Sequence, residues 1–200
     1  MSDAHEEHEE LTEEFEAPKS APVDREFTGP FDESEANAAR PYIDLGSIKI
    51  LPREGLNIRL EVEENGQRVV AAGLDFLDST LQVQPFAAPR TVGLWEEIRA
   101  QIVAQVESQG GQVIDRDGAF GPEVLAQIPV AGDNAGEVRL ARFIGVDGPR
   151  WFLRGVISGA GATDPEVAEQ IDELFRGIVV VRGNQPMPPR ELIPLKMPVT

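Results

Sequence analysis

The stretch LNIRLEVEENG, residues 56–66, decides the fold class of this chain. Apolar residues occupy its first, third, fifth and seventh positions, and this period of two predicts a strand with one face in the core. Asn65 and Gly66 follow at once and favour a tight hairpin turn, because both tolerate positive φ. The stretch therefore predicts an antiparallel hairpin with a return strand over 67–74.

The rest of the chain continues in hairpin-linked strands. A third strand is predicted near 80–84, and Pro85–Pro89 is expected to end it. The pattern of alternating residues and turn residues predicts four more strands near 112–116, 123–130, 137–146 and 149–157. Residues 178–181 are too uniformly apolar for a half-exposed strand, so we expect a strand in the middle of a sheet there.

Two helices interrupt the strands. Residues 92–108 carry an apolar stripe at helical spacing. A second helix is predicted to begin at Thr163 or Asp164 as N-cap, with Pro165 at its first position. Strands joined by hairpins with few helices indicate an α+β domain. We therefore expect a mainly antiparallel sheet of about seven to eight strands with two main helices packed on it.

The net charge of −17 is concentrated at the N-terminal end. Residues 1–35 hold 13 of the 35 acidic residues and two of the 18 basic ones. Their apolar content is too sparse to offset the entropy of ordering. We predict a disordered acidic tail over 1–37, a single domain over 38–183 and a Pro-rich extended strap over 184–200. The tail is interpreted as solubilising or, since Leu11 and Phe15 would share a helical face, as a docking peptide.

Composition excludes several kinds of chemistry. The chain has no cysteine, so it has no disulfide, thiolate zinc site or cysteine nucleophile. Its two histidines, His5 and His8, both precede the predicted domain, which leaves no histidine base in the folded body. With Glu9 they could hold a divalent metal only weakly, because a disordered segment supplies no outer hydrogen bonds. No cofactor, metal or catalytic residue is predicted.

Charge and hydropathy also bear on location and partners. No apolar run is long enough to span a bilayer, and the N-terminus is acidic rather than basic and then apolar. A cytoplasmic location is therefore expected. The acidic surface argues against wrapping nucleic acid. A protein partner is expected, and the oligomeric state is left open.

The arginines of the last hairpin are the strongest candidates for a binding site. Alternation over 137–146 places Arg142 in an apolar row, where burial without a partner would be costly. Beyond the turn, Arg150, Phe152 and Arg154 share one face, while Trp151 lies on the other. Arginine beside an aromatic ring is suited to a carboxylate, a phosphate or an acidic peptide. The structural alternative for Arg142 is an internal ion pair with Glu137, Asp172 or Glu173.

Four stretches carry a resemblance to a known family. These are GPFD (29–32), FAAPRTVGLW (86–95), GVDGPRWFLRG (145–155) and VRGNQPMPPR (181–190). With them the chain resembles an actinobacterial family of unassigned function, which implies a cytoplasmic protein and no catalytic residues. By analogy of layout, the architecture is similar to the Mog1/PsbP-like sandwich, an antiparallel sheet flanked by helices.

Two function classes follow from these observations. The first is a non-enzymatic protein-binding or scaffold module that uses the hairpin arginines. The second is a small anionic-ligand-binding protein, or a carboxylate-only enzyme using Asp75, Asp78 or glutamates with an arginine clamp. A pocket lined by two carboxylates and Arg142 or Arg154 would favour the second class, and a shallow apolar patch the first. A further hypothesis is that the acidic tail folds back on the arginine hairpin.

Overall fold

A computed structural model describes residues 16–132 and 136–198 of the chain. Over these residues it contains three α-helices, namely α1 (Arg25–Thr28), α2 (Trp95–Ser108) and α3 (Pro165–Arg176). The strands of the same residues are β1 (Phe31–Asp32), β2 (Ile43–Asp44), β3 (Ile48–Ile50), β4 (Asn57–Val62), β5 (Val69–Phe76), β6 (Ser79–Ala87), β7 (Gln112–Gly118), β8 (Gly121–Pro129), β9 (Val138–Asp147), β10 (Trp151–Gly159) and β11 (Val179–Val180). The predicted α+β fold class is confirmed.

Seven strands form the main sheet in the order β4-β5-β6-β10-β9-β8-β7. Every neighbouring pair in it is antiparallel, and the predicted hairpin joins β4 to β5. A smaller sheet has the order β1-β11-β3-β2, and β11 is parallel to β1. The main sheet therefore has the hairpin connections that the alternating residues and the turn residues predicted.

The main sheet buries its two faces differently. On the face we call the α3 face, β4–β6, β9 and β10 pack against α3 and the smaller sheet to form the larger core, which includes Leu74, Leu153 and Phe175. On the opposite face, the α2 face, Trp95, Ile102 and Val106 of α2 pack on β8–β10. Arg142, Ile144 and Val146 share the α3 face, as alternation predicted.

The predicted break at Pro85–Pro89 is wrong, because β6 continues through Pro85 to Ala87. Beyond Val83 the pairing of β6 with β5 ends, and the C-terminal strap lies along this edge of β6 instead. The amide of Ile193 donates to the carbonyl of Pro85 at 2.9 Å. Proline is tolerated here because the strap does not require an N–H donor from it.

The strand predicted in the middle of a sheet does occur, but in the smaller sheet. Val179 and Val180 of β11 are fully buried between β1 and β3. The sequence therefore indicated the burial of β11 correctly, although β11 is not part of the main sheet. A strand of two residues gives no sequence periodicity from which its partners could be inferred.

Part of the predicted tail is ordered against the domain. Asp32 belongs to β1, and the amide of Phe31 donates to the carbonyl of Ile178 at 2.9 Å. Lys19 Nζ donates to the carbonyl oxygens of Pro89 and Gly148 at 2.7 and 2.6 Å. These contacts compensate for the low apolar content of this segment. The prediction of disorder is therefore corrected over residues 16–37, and its first 15 residues lie outside those described.

The C-terminal strap is extended and packed on the domain. Ile193 and Leu195 are 6% and 4% exposed. Leu192 bridges to Phe86 and Leu195 to Val69, both antiparallel. Over the described part of the chain, no helix is long and apolar enough to cross a membrane.

Candidate functional site

A cleft of about 460 Å³ opens between the β7–β8 hairpin and α3. Strand β7 supplies Arg116 and Gly118, and the loop before α3 contributes the small residues Gly161 and Ala162. Arg142 of β9, Glu123 of β8 and Asp172 of α3 also line it. The cleft therefore brings Arg142, which the sequence placed in an apolar row, together with a helix.

Arg142 is 3% exposed and is held by two carboxylates. Its Nε and Nη2 both donate to Glu123 Oε2, at 3.0 and 2.9 Å. Its Nη2 also lies 2.8 Å from Asp172 Oδ1. Sequence reasoning named Asp172 as one of three alternatives for an internal ion pair, and the structure selects it and adds Glu123.

This ion cluster is not fully hydrogen-bonded. Arg142 Nη1 is buried and has no hydrogen-bond partner in the structure. Asp172 Oδ1 is close to Nη2 but lacks hydrogen-bond alignment. A donor and an acceptor are therefore left unsatisfied side by side, which is costly in a buried position. Buried polar groups without partners are rare in folded proteins, so this pair calls for an explanation.

Burial also shifts the protonation equilibria of the cluster. Desolvation raises the pKa of the Asp172 carboxyl above its ordinary value, although the charge of Arg142 acts in the opposite direction. The pKa of Arg142 is raised, because the two carboxylates outweigh the desolvation of its guanidinium. A perturbed carboxyl in a cleft is a recognised indicator of a functional site.

Two further arginines line the same cleft. Arg116 is exposed, and its Nε donates to Glu123 Oε1 at 2.8 Å. The guanidinium of Arg176 lies over the Phe120 ring at 5.1 Å and, within the described residues, makes no side-chain hydrogen bond. Both can therefore donate hydrogen bonds to a bound molecule.

The other predicted site residues do not join Arg142. Arg154 is on the α2 face, where it contacts Phe86 at 5.6 Å and donates to Gln84 Oε1. Trp151 is completely buried, and its Nε1 donates to Asp32 Oδ1 at 2.9 Å. Arg150 lies in the β9–β10 turn with φ of +62°. Because the sheet separates its two faces, the four residues do not form one continuous surface.

Glu123 and Arg116 were missed by sequence reasoning. They face each other across β7 and β8, in register. The available signal was the hairpin itself, since a turn at 119–120 places an acidic and a basic residue opposite one another. Their meeting with Arg142 depends on the order of β8 and β9, which local patterns do not specify.

Asp75 and Asp78 both line a separate cleft, of about 570 Å³, around the β5–β6 turn. The pKa of Asp75 is lowered to about 2, mainly by hydrogen bonds from Arg59 and also from Thr80. Asp78 is exposed in the β5–β6 turn with φ of +54°. Over the described residues, no group of three or more histidine, cysteine or carboxylate residues is arranged to hold a metal.

Asp147 forms a second buried polar centre at the end of β9. Its carboxylate accepts hydrogen bonds from the amides of Leu94 at 2.8 Å, Trp95 at 3.4 Å and Ser20 at 2.9 Å. Leu94 is the N-cap of α2 and has no capping side chain of its own. Asp147 therefore caps α2 from a distant strand and fastens the N-terminal segment beside it.

Comparisons with known proteins address the fold and the family. No curated protein matches the chain. The solution structure of cyanobacterial PsbP (CyanoP) from Synechocystis sp. PCC 6803 is similar, with 18% identity and a TM-score of 0.41, over 67% of this chain and 86% of that one. A family described as "protein of unknown function (DUF3710)" matches residues 29–200, and the chain therefore belongs to that family.

Proposed function

We propose that the cleft between α3 and the β7–β8 hairpin binds a small molecule carrying a carboxylate or phosphate group. The observation that carries this proposal is the Glu123–Arg142–Asp172 cluster at the base of the cleft. A buried ion cluster contributes little to stability compared with apolar packing, so its presence in a cleft is better explained by binding. The volume of the cleft lies in the range of about 300–1,000 Å³ usual for small-molecule sites.

Arg116 and Arg176 are the residues proposed to hold the anionic group. Guanidinium groups bind carboxylates and phosphates through paired N–H donors. The lining also contains five carboxylates against three arginines, so a ligand that is anionic throughout is disfavoured. The ligand is therefore a small molecule with one anionic group and additional hydrogen-bond donors. A carboxylate-only enzyme is not proposed, because Arg142 engages both buried carboxylates.

Binding is tested by adding inorganic phosphate, simple carboxylates and amino acids one at a time. The readout is the NMR signals of the arginine side chains. At least one member should produce saturable shifts of the Arg116 and Arg176 signals. The Arg116→Gln variant should bind it about tenfold or more weakly, equivalent to about 1.4 kcal/mol for a lost charged hydrogen bond.

The matched control is Arg59→Gln. Arg59 is also an exposed arginine bound to a carboxylate, but its partner is Asp75 at the β4 edge of the sheet. It should bind like the wild type. The proposal fails if no panel member shifts the two arginine signals, or if Arg116→Gln retains full affinity.

We also propose protein binding at a second site, the corner of the main sheet around β7. Within residues 16–132 and 136–198, β7 has a neighbouring strand on one side only, and the main-chain groups of its other edge are available to an added strand. On the α3 face beyond the cleft, Ile114 and Val138 are 52% and 59% exposed. These features suit an extended apolar segment of another protein that pairs with β7.

This second proposal predicts that substitutions at this corner of the sheet abolish the binding of a protein partner, whereas a substitution elsewhere does not. An Ile114→Glu/Val138→Glu double variant should lose a protein that the wild type retains from a lysate, because charge replaces the exposed apolar contact. Val62→Glu is the control, since Val62 is 55% exposed on the opposite edge strand, β4. Equal retention by all three proteins would contradict the proposal.

A further inference from the structure

Four basic residues lie around the β9–β10 turn, and we call this surface the basic end. Arg150 is in the turn, and its carbonyl accepts from the amide of Ala88 at 2.9 Å. Lys19 Nζ bridges the carbonyls of Pro89 and Gly148, and Arg90 follows Pro89 directly. The fourth member is Arg182, beyond β11.

The basic end has an excess of positive charge. Among the described residues, no carboxylate lies within ion-pair distance of Arg90, Arg150 or Arg182. Burial, followed by the charge of Arg150, lowers the pKa of the Arg182 guanidinium. The two guanidiniums therefore repel each other. Arg150 adopts a positive φ, a conformation that non-glycine residues seldom adopt outside functional or tight-turn positions.

The described part of the chain begins at this same surface. The carbonyl of Ala17 accepts from the amide of Gly93 at 2.9 Å, and Lys19 and Ser20 contact the turn and Asp147. The preceding segment, residues 1–15, contains seven acidic residues and no lysine or arginine. A strongly acidic segment is thus tethered directly to an unneutralised basic surface.

Tethering would make a contact between the two independent of protein concentration. A segment of 15 residues extends up to about 50 Å, so every part of the basic end is within reach. A short tether gives an effective concentration on the order of millimolar. An external acidic partner would have to exceed that concentration to compete on equal terms.

We propose that residues 1–15 bind the basic end through their carboxylates and cover Arg90, Arg150 and Arg182. The occupant is the chain's own N-terminal segment rather than a second copy or a separate protein. The interaction is electrostatic, and it neutralises the repulsion between the two closest arginines. It concerns a different surface from the ligand cleft, and the two proposals stand independently.

The test uses the full chain with one added cysteine. Since the chain has no cysteine, Ser2→Cys provides a unique position for a nitroxide label. At low salt the label should broaden the amide signals of Gly148, Arg150 and Trp151 and those of residues 181–183. Raising the ionic strength from about 0.01 to about 1 M shortens the Debye length from about 30 to about 3 Å, and the broadening should then be lost.

A variant in which the glutamates of the N-terminal segment are neutralised distinguishes this contact from effects on folding. Replacing all six glutamates of residues 6–14 by glutamine leaves the described domain unaltered, and the broadening should disappear at low salt. An Arg150→Gln/Arg182→Gln variant should lose it too, whereas Arg59→Gln should not. The proposal is overturned if the labelled wild-type sequence shows no broadening, or if the broadening survives in the glutamine variant. It is also overturned if the broadening arises only between a labelled copy of the chain and a separate, unlabelled copy.

Discussion

Replacement of Arg142 by methionine is expected to lower the free energy of unfolding by about 3–5 kcal/mol. The substitution preserves much of the side-chain length but leaves Glu123 and Asp172 buried without their shared cation. Glu123 is 3% exposed and Asp172 7%, so neither carboxylate can recover its hydration without local opening. Urea unfolding at neutral pH, monitored by tryptophan fluorescence, measures the loss.

A triple variant distinguishes the broken ion cluster from lost packing. Replacing Arg142 by methionine together with Glu123 and Asp172 by leucine removes all three buried charges. Its stability should be within about 1–2 kcal/mol of the wild type, since apolar replacement of a buried ion cluster is often neutral or stabilising. If the single variant is as stable as the wild type, the cluster is not buried in the manner described.

Asp147→Ala is expected to lower the free energy of unfolding by about 2–4 kcal/mol. The change removes the cap of α2, worth about 1 kcal/mol, and leaves the amides of Leu94 and Ser20 without acceptors at about 1–3 kcal/mol for a buried group. It should also release residues 17–20, which hydrogen exchange at Ser20 can detect.

Asp164→Ala is the matched control for this prediction. Asp164 is the N-cap of α3 and accepts from the amides of Glu166 and Val167, but it is exposed. Its loss should cost only about 1 kcal/mol. Equal destabilisation by the two variants would contradict the assignment of Asp147 as a junction of three segments.

The pH dependence of this effect has a definite sign. Burial is the largest influence on the Asp147 carboxyl and raises its pKa, as it does for Asp172. The folded state then holds these protons more tightly than the unfolded state, in which a carboxyl titrates near about 3.9. Stability should therefore fall as pH rises from about 4 through the raised pKa values. Asp147→Ala should show a shallower decline than the wild type.

The elements that repeat a local pattern could be predicted from the sequence. Alternation located β4, β9 and β10, and the Asp164–Pro165 pair located the start of α3, because each pattern reports on the exposure of a single element. Alternation also placed Arg142 on the apolar face. These are properties of a few consecutive residues and need no knowledge of what lies across the sheet.

The remaining features depend on contacts between distant segments. Pro85 suggested a break because a neighbouring strand normally needs an N–H donor, which proline lacks. Here the neighbouring segment is the strap, which does not need that donor. Residues 16–37 look disordered from composition, yet Lys19 and Asp32 find buried partners more than 60 residues away. The cleft required Glu123, Arg142 and Asp172 from three elements. Sequence reasoning supplied two of them but not the hairpin partner that completes the site.

The docked strap determines when the sheet can be completed during synthesis. Residues 190–195 occupy the edge of β6 that β5 leaves open, so the preceding strands can pair as soon as they are made, but this edge cannot close until the last of these residues has left the ribosome. Until then a nascent chain exposes the backbone of Pro85 and Ala87 to any neighbouring strand. The docked strap therefore protects this edge of β6 from pairing with another chain.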